Sequence, residues 1–182
     1  AGVTAGDEVI TTPLTFASSA NAALFLGAKP VFADVEANTF LLDLTDVHKK
    51  VTAQTKAIIA VDLGGHPCHY DELKALCHQH KIALIEDAAH ALGATYREQK
   101  IGSIADLTTF SFHPVKHITT GEGGAVTANS AELMEKIRFF RCHCQTRNAE
   151  QWENHTEKDG LWYYEIQDLG FNYRMSDMNA AL

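Results

Sequence analysis

Residues 111 to 124 read Ser-Phe-His-Pro-Val-Lys-His-Ile-Thr-Thr-Gly-Glu-Gly-Gly and hold one lysine, Lys116. The apolar run Leu107 to Phe112 comes just before it, so Lys116 falls beyond the end of a buried strand, beside flexible glycine backbone. Most lysines are solvated surface charges. One placed here loses part of its hydration, which favours the neutral amine and makes it a nucleophile towards carbonyls. The chemistry this predicts is that of a Schiff-base lysine.

Further groups could serve such a lysine. Asp87 directly follows the strand-like run Ile82 to Ile85 and Glu86. Carboxylates at strand ends are often only solvated. The functional alternative is a carboxylate bonded to a protonated ring nitrogen, the electron-sink arrangement of pyridoxal phosphate (PLP). Ser111, five residues before Lys116, is either an ordinary strand-end hydroxyl or a phosphate ligand, with Thr119 and Thr120 nearby. Phe16 either packs in the core or lies flat on an aromatic ring. His90 and His113, each taken alone, read as structural. Cys68-His69, Cys77-His78-Gln79-His80 and Cys142-His143-Cys144 raise the question of a metal. None has Cys-x-x-Cys spacing, and adjacent strand residues point opposite ways, so no metal site is expected.

The elements that must position these groups alternate. Strands are expected at Glu8–Thr12, Pro30–Val35, Lys56–Val61, Ile82–Ile85 (ending at Glu86-Asp87), Leu107–Phe112 and Ala125–Thr127. Helices are expected at Phe16–Leu26, Leu44–Val51, Tyr70–His80 and Ala131–Arg141, with Gly27 stopping the first and Ser130 capping the last. Leu73, Leu76, Cys77 and His80 fall on one helical face. Nearly continuous apolar strands between helices predict an α/β fold with a mostly parallel sheet covered on both faces. Ligands of such sheets bind beyond the carboxyl ends of the strands. That rule selects Thr12–Phe16, Asp62–His66, Asp87–His90 and Ser111–Lys116. Residues 141 to 168 are polar and aromatic without clear periodicity and read as a long excursion, a lid or an interface arm.

The chain has 182 residues, 46% hydrophobic and 21% charged, enough for one domain with a real core. Its net charge of -8 and lack of a basic stripe argue against nonspecific nucleic-acid binding. No apolar run approaches the ~20 residues that span a bilayer, and no signal peptide is visible. Four cysteines fit no disulfide framework, and reduced thiols in a cytoplasmic protein are the simplest reading. The opening Ala-Gly-Val-Thr-Ala-Gly-Asp and the closing helical Met178-Asn-Ala-Ala-Leu182 suggest an internal fragment of a longer protein.

Taken together, Glu86-Asp-Ala-Ala-His-Ala-Leu-Gly93 and the stretch from Thr109 to Ala125 resemble the DegT-type (DegT/DnrJ/StrS) nucleotide-sugar aminotransferases. These are PLP enzymes of the aspartate-aminotransferase fold (fold type I). Gly6–Pro13, Gly27–Phe32, Thr55–Ile59 and Gly170–Asp177 match as well, so the resemblance covers nearly the whole chain. It implies a PLP-binding large domain over residues 1–182, without the family's upstream Gly-Thr phosphate-binding turn and C-terminal small domain. It makes Lys116 the catalytic, cofactor-bound lysine. Asp87 becomes the partner of the pyridinium nitrogen, Phe16 the stacking residue, His90 a neighbour of the ring and Ser111 a phosphate ligand. Asn172 and Arg174 lie in a segment that reaches a neighbouring subunit's cofactor in the family, with Asn172 the phosphate contact, so a homodimer is implied.

The segment from Asp159 to Arg174 is similar to the branch acting on UDP-4-keto-6-deoxy-N-acetylhexosamines in pseudaminic acid biosynthesis, the UDP-4-amino-4,6-dideoxy-N-acetyl-beta-L-altrosamine transaminases. The implied reaction transfers an amino group from L-glutamate to a UDP-linked keto-sugar. Two alternatives of the same fold are a PLP-dependent sugar dehydratase, which typically has histidine at the lysine position, and a non-catalytic sugar-binding relative. Arg141-Cys-His-Cys144 departs from the family, where a glycine tends to follow the histidine.

Overall fold

The computed structural model describes residues 1–154, 160 and 162–182. They form two compact units, residues 1–129 with Leu182, and residues 130–181. In chain order the first unit carries β1 (Glu8–Thr11), α1 (Ser18–Leu24), β2 (Lys29–Phe32), α2 (Leu44–Lys50), β3 (Thr55–Val61), α3 (Tyr70–His80) and β4 (Ala83–Asp87). A small hairpin follows, β5 (Thr95–Tyr96) with β6 (Gln99–Lys100), and then β7 (Leu107–Ser111) and β8 (Gly124–Ala128). The second unit holds α4 (Ala131–Arg141), β9 (Gln145–Thr146), β10 (Glu165–Ile166) and α5 (Asp177–Ala180).

Six strands make the main sheet in the order β2-β1-β3-β4-β7-β8. All neighbours are parallel except β7 and β8, which pair antiparallel from Leu107↔Ala128 to Ser111↔Gly124. The pleat divides the apolar residues by parity. Ile10, Ile58, Ala60 and Leu84 pack with Val47 of α2 and Tyr70, Leu73 and Leu76 of α3. Val9, Ala57 and Ile59 pack on the other face with Ala23 of α1. Burying both faces is why the strands read as apolar runs rather than alternating ones.

Several element ends differ from the sequence expectation for local reasons. β2 stops at Phe32 because the Asp34 amide donates to Asp46 Oδ2 at 2.8 Å, which draws the chain out of the sheet. α1 is shorter than expected: it begins at Ser18, leaving Phe16 outside, and ends at Leu24. His80 does not join the buried face of α3. Lys81 takes a left-handed conformation (φ 56°), the Ile82 amide bonds Cys77 O at 2.9 Å, and Ile82 fills the core where the helical repeat would have continued. The hairpin β5–β6 carried no glycine or asparagine signal. It is held instead by Tyr96, whose ring meets Tyr70 edge-on at 5.7 Å, and by an Arg97–Asp71 ion pair. Ser130 caps α4 as expected, accepting from the Leu133 amide.

Within the second unit, β9 and β10 pair antiparallel where the sequence shows no periodicity. Before them lies a tight turn in which the Gln145 amide bonds Cys142 O at 3.0 Å. His143 (φ 57°) and Cys144 (φ 50°) are both left-handed there. Neither residue is a glycine, so the turn carries a backbone cost of about 1–2 kcal/mol at each. All four cysteines are free. Of the segment that suggested the sugar branch, Asp159 and Leu161 lie outside the described residues.

Candidate active site

Because β1, β3, β4 and β7 run parallel, their carboxyl ends share one edge of the sheet. The four segments selected from the sequence therefore fall at that edge. β7 ends at Ser111, and the chain loops out through Lys116 before returning as β8. The loop is closed by its own backbone: Phe112 N–H donates to Gly123 O (2.9 Å) and Thr120 N–H to Phe112 O (3.1 Å). Thr119 Oγ1 also donates to Phe112 O at 3.0 Å and accepts from the Gly121 amide at 2.9 Å. Gly124 is required at the return, since a Cβ there would meet Phe110 O at 2.6 Å. Lys116 N–H donates to His113 O at 2.9 Å, and His113 Nδ1 accepts from the Val115 amide. His113 is thus a structural member of the loop. Lys116 is half-buried rather than a free surface charge.

Lys116 and His90 line one cavity of about 350 Å³ together with Gly64, Val115 and His117. His90 Nδ1 accepts from the Gly64 amide at 3.3 Å, which makes Nε2 the protonated nitrogen of the neutral ring. Burial holds the His90 pKa below its usual value, helped by the positive charges of Lys116 and His117 and opposed by Asp87. A neutral imidazole beside the lysine is the result.

Asp87 ends β4 on the α1 face of the sheet. Ser19 of α1 donates to its Oδ2 at 2.7 Å, and the Ala89 amide donates to Oδ1 at 3.2 Å. These contacts orient a half-buried carboxylate at the sheet edge. Ser19 was not singled out from the sequence, since a serine in an Ala-rich helix carries no signal of a partner 68 residues away. Ser111 Oγ, at the end of β7, accepts from the His113 amide at 3.3 Å. Phe16 lies in the turn after β1 and is 80% exposed, so it is not a core residue. Asn172 belongs to the second unit, where it bridges to Cys142 and its Oδ1 accepts from Arg174 Nε at 3.0 Å.

The structure thus places Lys116, His90, Asp87 and Ser111 at one edge of one unit, and Asn172 in the other unit. As a donor set they suit PLP: an amine for an aldehyde, a carboxylate for a ring nitrogen, a hydroxyl for a phosphate, and an exposed aromatic face. Among the described residues, no three His, Cys, Asp or Glu side chains come together as a metal site, and no helix is long and apolar enough to cross a membrane.

A mostly parallel sheet covered by helices on both faces places the chain in the fold type I class of PLP-dependent transferases. The chain belongs to the DegT/DnrJ/EryC1/StrS aminotransferase family, whose model matches residues 1–182. It is 45% identical over 177 residues to the UDP-4-amino-4,6-dideoxy-N-acetyl-beta-L-altrosamine transaminase of Campylobacter jejuni, covering 96% of this chain and 44% of that protein. Among solved structures it is similar to Helicobacter pylori PseC, an aminotransferase involved in the biosynthesis of pseudaminic acid (TM-score 0.86, 36% identity, 96% of this chain and 44% of that one). It is also similar to the PLP form of Spr1654 from Streptococcus pneumoniae (TM-score 0.85, 34% identity, 98% and 48%). The chain spans about half the length of the curated relatives it matches.

Proposed function

We propose that the protein carrying this chain is a PLP-dependent aminotransferase that moves an amino group from L-glutamate to a UDP-linked 4-keto-6-deoxy-N-acetylhexosamine. The observation that carries this reading is the juxtaposition of Lys116 and neutral His90 in one cavity, with Asp87 fixed by Ser19 at the same sheet edge. The name and biosynthetic role of the similar transaminases support the sugar class. A lysine, rather than a histidine, at position 116 favours amino transfer over dehydration.

PLP, when bound, supplies an aldehyde that takes up the amino group and a ring that absorbs electron density. The residues supply the rest. The Lys116 amine anchors the cofactor and, once free, takes the proton from the donor's α-carbon. Asp87 holds a proton at the ring nitrogen, and the Ser19 hydroxyl keeps that carboxylate aimed. Ser111 Oγ would donate to the phosphate, and Phe16 would offer the ring an aromatic face. Asn172 would supply a phosphate contact from a second copy in a homodimer. Lys116→Ala in the full-length protein tests the reading: with glutamate and a panel of UDP-4-keto-hexosamines, turnover should disappear. Normal transamination by that variant would end it.

A further inference from the structure

Asp62 follows β3 directly and is fully buried (0% exposed), yet the family reading gives it no role. It sits next to the site through the backbone, its amide donating to Asp87 O at 3.1 Å. Its carboxylate closes the loop that leaves β3 back on itself. Oδ1 accepts from the Cys68 amide at 2.9 Å and from the Tyr70 hydroxyl at 2.7 Å. Its carbonyl accepts from the Gly65 amide at 3.0 Å, folding Leu63–Gly65 into a single tight turn. That turn touches His90 at two points. The Gly64 amide donates to His90 Nδ1. Gly65, at φ 85°, lies so close that a Cβ on it would meet His90 O at 2.8 Å. The position of one amide proton therefore decides which His90 nitrogen is protonated, and a buried carboxylate pins the loop that carries that amide.

We propose that Asp62 is a positioning residue for the active site: by clamping the loop from Leu63 to Tyr70 it presents the Gly64 amide to His90 and holds the imidazole in its Nε2–H tautomer. The relevance of that tautomer to catalysis rests on the proposed place of His90 beside the cofactor; the clamp itself does not. Removing the acceptor frees the Cys68 amide and the Tyr70 hydroxyl together, so the loop loses both carboxylate anchors and keeps the Cys68 Sγ bond to Val61 O beside its backbone turn, while the β3 strand stays in the sheet. An asparagine keeps an acceptor oxygen at the Oδ1 position and preserves the clamp.

The test is ¹⁵N NMR of the full-length, cofactor-free protein labelled at histidine, with His90 assigned by its loss in His90→Gln. Wild type and Asp62→Asn should show one tautomer, with an unprotonated Nδ1. Asp62→Ala should show both tautomers in exchange. A folded Asp62→Ala protein with the wild-type spectrum would overturn the proposal. If Asp62→Ala does not fold, Tyr70→Phe, which removes one of the two donors, is read the same way: mixed tautomers support the clamp and an unchanged spectrum refutes it. Because cofactor and turnover play no part, this outcome is independent of the Lys116→Ala assay that decides the proposed function.

Discussion

The Ser19–Asp87 hydrogen bond joins α1 to the sheet edge that carries the proposed site, and its loss has a definite expected effect. A hydrogen bond to a charged group is worth ~1.5–3 kcal/mol, so Ser19→Ala should weaken PLP binding by roughly tenfold or more, measured by absorbance titration. Asp62 makes a pH prediction. Burial pushes its carboxyl up to about 7, against ~3.9 in an unfolded chain. The groups facing it are the Tyr70 hydroxyl, the Cys68 thiol and the Glu86 carboxyl, and burial raises the pKa of the first two, so they stay neutral. With the folded pKa raised, the folded state binds the extra proton. The stability this gives is full below about pH 4 and is lost as pH rises through 7. Asp62→Asn removes that loss, because the amide has no charge to bury at any pH. Its stability gain over wild type should be larger at about pH 8 than at about pH 5, by on the order of 3 kcal/mol, read from denaturant melts. Equal gains at both pH values would refute the buried-carboxylate account.

At the scale of elements, the same backbone rules that end helices and turns predict measurable effects. Lys81 is exposed and left-handed at the end of α3, where a glycine is unstrained. Lys81→Gly should stabilise the protein by ~0.5–1 kcal/mol in thermal or denaturant melts. Gly65→Ala should do the opposite, destabilising by ~1–3 kcal/mol through its left-handed φ and its contact with His90 O, and displacing His90 with it. The sequence made the strands legible because both sheet faces are buried, and it made α3 legible because its period is regular. Position followed from direction: parallel strands put Lys116, Asp87, Ser111 and Phe16 at one edge without any contact being visible. His80 was misplaced because a helix end is decided by one left-handed residue and by Ile82 entering the core. Ser19 carried no signal, and Asp62 was selected only as a strand-end residue, because their partners are joined to them only by the fold, Asp87 across the sheet and Tyr70 across a closed loop. The hairpin at Thr95–Lys100 is likewise a tertiary product of Tyr70 and Asp71.

At the scale of the molecule, the proposed site takes Lys116 from one copy and Asn172 from another. Mixing Lys116→Ala and Asn172→Ala proteins under conditions that exchange subunits should then restore activity that neither has alone, because a mixed dimer contains one intact site. Failure of complementation after demonstrated exchange would place Asn172 outside the partner's site. The central claim, that Lys116 carries the cofactor, is tested most directly by chemistry rather than by turnover. The full-length protein is incubated with PLP, reduced with borohydride, digested and sequenced by mass spectrometry. The pyridoxyl mass should be found on Lys116 and disappear in Lys116→Ala; an adduct on a different lysine, with Lys116 unmodified, would contradict the account.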